Sequence, residues 1–228
     1  MSAMNIPMPR EQLERIVRQV VRERLAAGAG SAAPAVPYAP NLVVNVSARH
    51  LHVSQADLEK LFGSGAQLTV YRWLYQPGEF ASEQTVTLVG PAGKRLERVR
   101  ILGPVRKATQ AEISGTDAIA LGVAAPVRAS GDIDGTPGGT VIGPSGTVEL
   151  RQGVIRAQRH AHLAPADAAH YGFRDGQMIR LRVAGERPAL FEGILCRVHP
   201  NFLLEVHLDT DEGNACDLPN ATGVELLP

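Results

Sequence analysis

Aromatic side chains are scarce in this chain, with Phe, Tyr and Trp together making up 4% of its 228 residues. A core must therefore be built from aliphatic groups, and a hydrophobic content of 44% is enough to build one. A surplus of either charge is also missing: 23 Lys and Arg face 23 Asp and Glu. That balance gives no electrostatic reason to coat nucleic acid, although it leaves room for a local phosphate pocket. There are two cysteines, Cys196 and Cys216, and no CxxC pair. A disulfide framework is excluded, a reduced intracellular protein is expected, and both thiols read as packing residues. No apolar run reaches the roughly 18 residues that span a bilayer. The first residues lack an apolar stretch followed by a cleavage site, so neither membrane insertion nor secretion is expected. The chain has no G-x-x-x-x-G-K-[ST], no G-x-G-x-x-G after a strand and no G-x-S-x-G. Nucleotide hydrolysis, dinucleotide redox chemistry and a serine elbow are left without a motif.

What is present falls into three parts. From Pro9 to Ala27 the apolar residues Leu13, Ile16, Val17, Val20, Val21 and Leu25 recur at helical spacing, opposite a charged face. Residues 28–40, GAGSAAPAVPYAP, read as a flexible linker. A helix on such a tether must bury its apolar face on a partner. After residue 41, short β-branched runs alternate with Gly, Pro and Asp turns: LVVNVS, QLTVYRW, QTVTLV, RVRIL, AIALGV, TVIG, TVEL, MIRLRV, ALFEGIL and FLLEVHL. This pattern predicts a mainly β protein of compact barrels.

Two stretches repeat. RHLHVSQADLEKLFGSGAQ (49–67) and RHAHLAPADAAHYGFRDGQ (159–177) align at a constant offset of 110 residues. The repeat reads as a strand with H-x-H, a short helix, a turn and a strand. Ser54 is placed to cap the first helix and Pro165 to open the second. Two barrel domains are therefore expected, at 41–135 and 136–228, after a helix and linker over 1–40.

Four of the seven histidines form the two H-x-H motifs, His50–His52 and His160–His162. On a strand, residues two apart share a face, so each pair can present two imidazoles to one cation such as Zn²⁺, Co²⁺ or Ni²⁺. A third donor is needed at each. His207, alternating with apolar neighbours in FLLEVHLD, is a candidate for the second pair, and Glu112 for the first. His170 reads as an exposed helix residue and His199 as a loop residue before Pro200. Arg106 is the strongest candidate for an anion-binding guanidinium.

The stretches VNVSARHLHVS, LGPVRKATQAEISGTDA, QRHAHLAPADAAHYGF and EVHLDTDEGNA resemble the PduL family of phosphotransacylases. The resemblance runs from about residue 41 to the C-terminus. It implies two β-barrel domains with short helical caps and a two-metal site between them. It further implies one zinc on His50, His52 and Glu112, a second on His160, His162 and His207, phosphate on Arg106, and Ser47, Arg100 and Asn214 near coenzyme A. The implied reaction moves a propanoyl or acetyl group from coenzyme A to phosphate without a protein nucleophile. Members often carry an amphipathic encapsulation peptide, the role implied for residues 9–27. That would place the chain inside a bacterial microcompartment in the cytoplasm, against shell or core proteins, as a possible homo-oligomer. A two-metal hydrolase and a non-catalytic assembly protein with structural metals are the alternatives, separated by product identity and by the effect of chelation on folding.

Overall fold

The structure, a computed structural model, describes residues 38–228. The targeting helix expected over 9–27 lies outside the described residues.

Strands β1 (Val43–Ser47) and β2 (His50–His52) lead to helix α1 (Gln55–Phe62), then β3 (Val70–Trp73), β4 (Phe80–Val89), β5 (Arg95–Gly103) and β6 (Gln110–Glu112). Helix α2 (Gly115–Leu121) and β7 (Val127–Arg128) follow. The remainder is β8 (Gly139–Ile142), β9 (Thr147–Leu150), β10 (Val154–Ala157), β11 (His160–Leu163), α3 (Pro165–Tyr171), β12 (Met178–Ala184), β13 (Ala189–Val198), β14 (Glu205–Asp209), α4 (Thr210–Ala215), a 3₁₀ turn at Leu218–Asn220 and β15 (Gly223–Leu227). The architecture is mainly β, with two curled sheets and a few short helices.

The six-stranded sheet runs β1-β14-β11-β13-β12-β15, and the nine-stranded sheet contains the run β10-β6-β2-β5-β4. The internal repeat is visible in this order. In each sheet an H-x-H strand is central, paired antiparallel on one side and parallel on the other. The strand before each H-x-H crosses to the opposite sheet: β1 precedes β2 but pairs with β14, and β10 precedes β11 but pairs with β6. The sheets therefore do not divide the chain at residue 135, because β8, β9 and β10 belong to the sheet of the first H-x-H. Residues Pro40–Pro228 form one compact unit.

Each sheet covers its own aliphatic core. One is built on Leu51, Leu58, Leu61, Leu88, Val99 and Ile101. The other is built on Leu163, Ile179, Leu181, Ile194, Val206 and Leu208, with both cysteines buried in it. Leu51 and Ala161, the middle residues of the H-x-H motifs, are fully buried in these cores, which turns the flanking histidines to the other face.

Local signals explain the helices. Ser54 accepts from the Asp57 amide at the start of α1, and Pro165 occupies the first turn of α3. One expectation is corrected: AIALGV, read as a strand, lies mostly in α2. Ser114 and Asp117 form a reciprocal capping box there, and Gly122 ends the helix in the left-handed region. In this case the cap outweighed the β-branched character of the run. Helix α4 packs close to β1 because Gly213 has no side chain. A Cβ there would stand 2.4 Å from Val46 Cγ2.

Candidate active site

Strand pairing assembles the first group of donors. Across β2 and β6, His50 faces Glu112 and His52 faces Gln110. His50 Nε2 lies 3.2 Å from His52 Nε2 and 3.5 Å from Glu112 Oε2, and His52 Nε2 is 3.6 Å from Glu112 Oε1. His50 Nδ1 sits 2.8 Å from the Ala48 carbonyl oxygen, so it carries the proton and Nε2 keeps a lone pair for the group. All three residues are buried.

The second group repeats the construction. Across β11 and β14, His160 faces His207 and His162 faces Glu205. His160 Nδ1 donates to the Gln158 carbonyl at 2.9 Å, the same two-residue step back that fixes His50. The His160 and His207 rings stack with centroids 4.7 Å apart, and His162 and His207 are 5.0 Å apart. Ser47 Oγ is 3.2 Å from His207 Nδ1.

These groups fit divalent cations. The donor atoms of each trio lie within 4.8 Å of one another. Three buried ring nitrogens, His52 Nδ1, His162 Nδ1 and His207 Nε2, have no well-aligned hydrogen bond. Desolvation, followed by the neighbouring imidazole, lowers His52 to about 3 and His160 to about 4. Desolvation with His160 and His207 lowers His162 to about 2. His52, His160 and His162 are thus neutral near pH 7, the state a cation requires. Burial alone would raise the Glu112 carboxyl. The adjacent His50 and His52 rings, the Ser130 hydroxyl and Arg106 outweigh it and hold the group at about 2. Two imidazoles with a carboxylate, or three imidazoles, suit zinc, cobalt or nickel.

A cavity of about 240 Å³ is lined by all six of these residues together with Ser47, Arg106, Ser130 and Phe202. Arg106 Nη1 donates to Ser130 Oγ at 2.9 Å, and Nη2 is 4.0 Å from Glu79. A second cavity of about 480 Å³ shares Ser47, His50 and His207 and adds Arg72, Trp73 and Arg100. The Arg100 guanidinium lies over the Tyr71 ring at 4.7 Å and donates to the Ser82 carbonyl. Asn214 is exposed on α4. His170 is exposed on α3, and His199 accepts from the Asn201 amide in a turn. Cys196 and Cys216 are buried in the core, and desolvation pushes Cys196 up to about 11 and raises Cys216. Neither thiol is a poised nucleophile.

Residues 43–219 match the phosphate propanoyltransferase family. The chain belongs to that family. A phosphate propanoyltransferase of Planctopirus limnophila is 48% identical over 223 residues, covering 96% of this chain and 91% of that protein. One from Thermotoga maritima is 52% identical over 180 residues, covering 78% and 85%. One from Salmonella typhimurium is 47% identical over 178 residues, covering 78% and 84%. The chain is an acyltransferase.

In this phosphate propanoyltransferase family member, several polar residues that sequence reasoning did not single out support the donors. Gln110 Nε2 donates to Glu112 Oε1 at 2.6 Å and to Ser130 Oγ at 2.8 Å, while the Gly131 amide donates to Gln110 Oε1 at 2.9 Å. Glu205 accepts from Asn45 Nδ2 at 2.6 Å and from Gln76 Nε2 at 2.7 Å. Gln110 and Glu205 each stand two residues before a candidate donor on the same strand, so strand periodicity could have found them. Ser130 and Gln76 come from loops, where no periodicity applies.

Proposed function

We propose that this chain transfers a short acyl group, propanoyl or acetyl, from coenzyme A to inorganic phosphate, giving acyl phosphate and free coenzyme A. The site is a two-metal centre with one ion on His50, His52 and Glu112 and the other on His160, His162 and His207. One observation carries this reading: two cation-suited trios and a guanidinium, Arg106, line a single cavity.

The reaction brings a phosphate dianion to a thioester carbonyl and expels a thiolate. Two bound cations would supply Lewis-acid stabilisation of developing negative charge on the sulfur, the carbonyl oxygen and phosphate. The chain's own residues set up the rest. Arg106 offers paired N–H donors that neutralise the phosphate and aim one oxygen at the carbonyl carbon. Ser130 fixes the Arg106 fork from one side and Glu79 from the other. The larger cavity, with Arg72 and Arg100 on its walls and Ser47 where it meets His207, suits the phosphorylated body of coenzyme A. The oxygen of phosphate bonds to the acyl carbon as the carbon–sulfur bond breaks, and the electron pair leaves on sulfur. No protein acyl intermediate is involved, in agreement with the burial of both cysteines. Residues 9–27 would act as the encapsulation peptide that brings the enzyme into a microcompartment.

The test traps the product. With propanoyl-CoA or acetyl-CoA and phosphate, hydroxylamine should convert an acyl phosphate to the hydroxamate in step with coenzyme A release. His160→Ala should abolish both signals, and Arg106→Ala should lower both by about 100-fold or more. Coenzyme A release without phosphate, with no hydroxamate, would replace the transferase with a hydrolase.

A further inference from the structure

Tryptophan occurs once in the chain, at position 73. A ring of that size belongs mostly in a core, yet Trp73 is 64% exposed. It stands on β3, an edge strand that pairs with β4 and is exposed at all four of its positions. The indole is held without being covered. Trp73 stands opposite Phe80 across β3 and β4, and the two rings meet edge to face with centroids 5.6 Å apart. Phe80 is itself fixed against Gly103, where a Cβ would collide with its ring. Trp73 therefore rests on an anchored neighbour and keeps most of its own surface open.

That surface borders the cavity of about 480 Å³, whose lining divides in two. Ser47, His50 and His207 also line the cavity of the two donor groups, whereas Arg72, Trp73 and Arg100 do not. The wall away from the donors thus presents an indole and two guanidiniums. Neither Arg72 nor Arg100 forms an ion pair among the described residues, and Arg100 is steadied over the Tyr71 ring at 4.7 Å. Coenzyme A is divided in the same sense. Its thioester lies at one end, and at the other an adenine ring sits beside a diphosphate and a ribose phosphate. Guanidiniums match the phosphate oxygens. An open indole matches the flat face of a purine, which stacks on aromatic rings without base-specific hydrogen bonds. The acyl group, the pantetheine arm and inorganic phosphate have no flat ring to offer it.

We propose that Trp73 is the platform on which the adenine ring of coenzyme A stacks, holding the nucleotide end of the carrier while its thioester reaches the donor groups. This inference rests on coenzyme A as the acyl carrier proposed above and adds the residue that recognises its base.

Because the chain has one tryptophan, its fluorescence reports on this position alone. The full-length protein is titrated with coenzyme A, with the adenosine bisphosphate fragment of coenzyme A, and with pantetheine. Coenzyme A and the bisphosphate should quench the emission saturably, and pantetheine should not. In phosphate-dependent turnover, Trp73→Ala should raise KM for propanoyl-CoA about 10-fold and leave KM for phosphate unchanged. The inhibition constant of the bisphosphate fragment should rise by the same factor. Trp73→Phe, which keeps a ring, should lose less than Trp73→Ala. No quenching by coenzyme A at concentrations that saturate turnover would overturn the proposal, as would an unchanged KM for propanoyl-CoA in folded Trp73→Ala protein. Equal quenching by pantetheine would overturn it too. A change of oligomeric state in Trp73→Ala with no loss of coenzyme A affinity would make the tryptophan an interface residue instead. If the unaltered protein releases no coenzyme A with phosphate present, the transferase reading falls, and quenching by coenzyme A still decides whether Trp73 binds it.

Discussion

Ser130 Oγ donates to Glu112 Oε1 at 2.5 Å and itself accepts from Arg106 Nη1 at 2.9 Å. One hydroxyl thus couples the candidate phosphate-binding group to a candidate metal ligand. Ser130→Ala removes both of these bonds and the one that Ser130 Oγ accepts from Gln110 Nε2, and leaves Glu112 with Gln110 as its remaining amide partner. We expect kcat to fall about 10- to 100-fold, with weaker zinc retention at the first site. Steady-state rates and zinc competition check this together. Unchanged values in both would mean that the coupling has no functional weight.

Arg106→Ala should lower kcat/KM for phosphate by about 100-fold or more, corresponding to about 3 kcal/mol of lost transition-state stabilisation. Arg106→Lys keeps the charge but loses the planar fork, so it should recover only part of the rate. The measurement is a phosphate titration at saturating acyl-CoA. Full activity in the lysine variant would show that charge suffices.

The buried histidines make a pH prediction for the metal-free protein. Their folded values, about 3 for His52, about 4 for His160 and about 2 for His162, lie below the ordinary 6.5. The unfolded chain therefore binds more protons as pH falls below 6.5, and stability drops from there toward pH 4. The slope is about 1.4 kcal/mol per pH unit for each fully titrating histidine. Glu112 and Glu205, both held at about 2, add a second loss as pH falls from about 4.5 toward 2. In Glu205, burial opposes ionisation, while His207, Asn45 and Gln76 favour it. Urea midpoints at pH 7, 6 and 5 should decline steadily. Equal midpoints would contradict neutral, buried imidazoles.

Replacing both cysteines by alanine should leave kcat within about twofold, because neither thiol lies with the site residues and both are buried in the core. The small cavities should cost stability of about 1 kcal/mol each. Loss of activity in a folded double variant would revive an acyl-enzyme route.

Much of this arrangement was legible in the sequence. The H-x-H spacing grouped His50 with His52 and His160 with His162, because strand periodicity is rigid. The offset of 110 residues marked the repeat. Strand exchange was not legible: β1 and β10 are read beside their own H-x-H strands, yet long-range pairing places each in the other sheet. AIALGV was misread because its apolar residues suit either element, and the deciding Ser114–Asp117 cap stands before it. Gln110 and Glu205 were overlooked because a polar residue two positions from a donor gains meaning only when its cross-strand neighbour is known.

The most direct test of the two-metal phosphotransacylase is a zinc titration of the chelated protein, following phosphate-dependent coenzyme A release from propanoyl-CoA. The account predicts no release without metal and a rate that climbs to its plateau at two zinc ions per chain. A full rate in the chelated protein, or release that ignores phosphate at every zinc level, would contradict it.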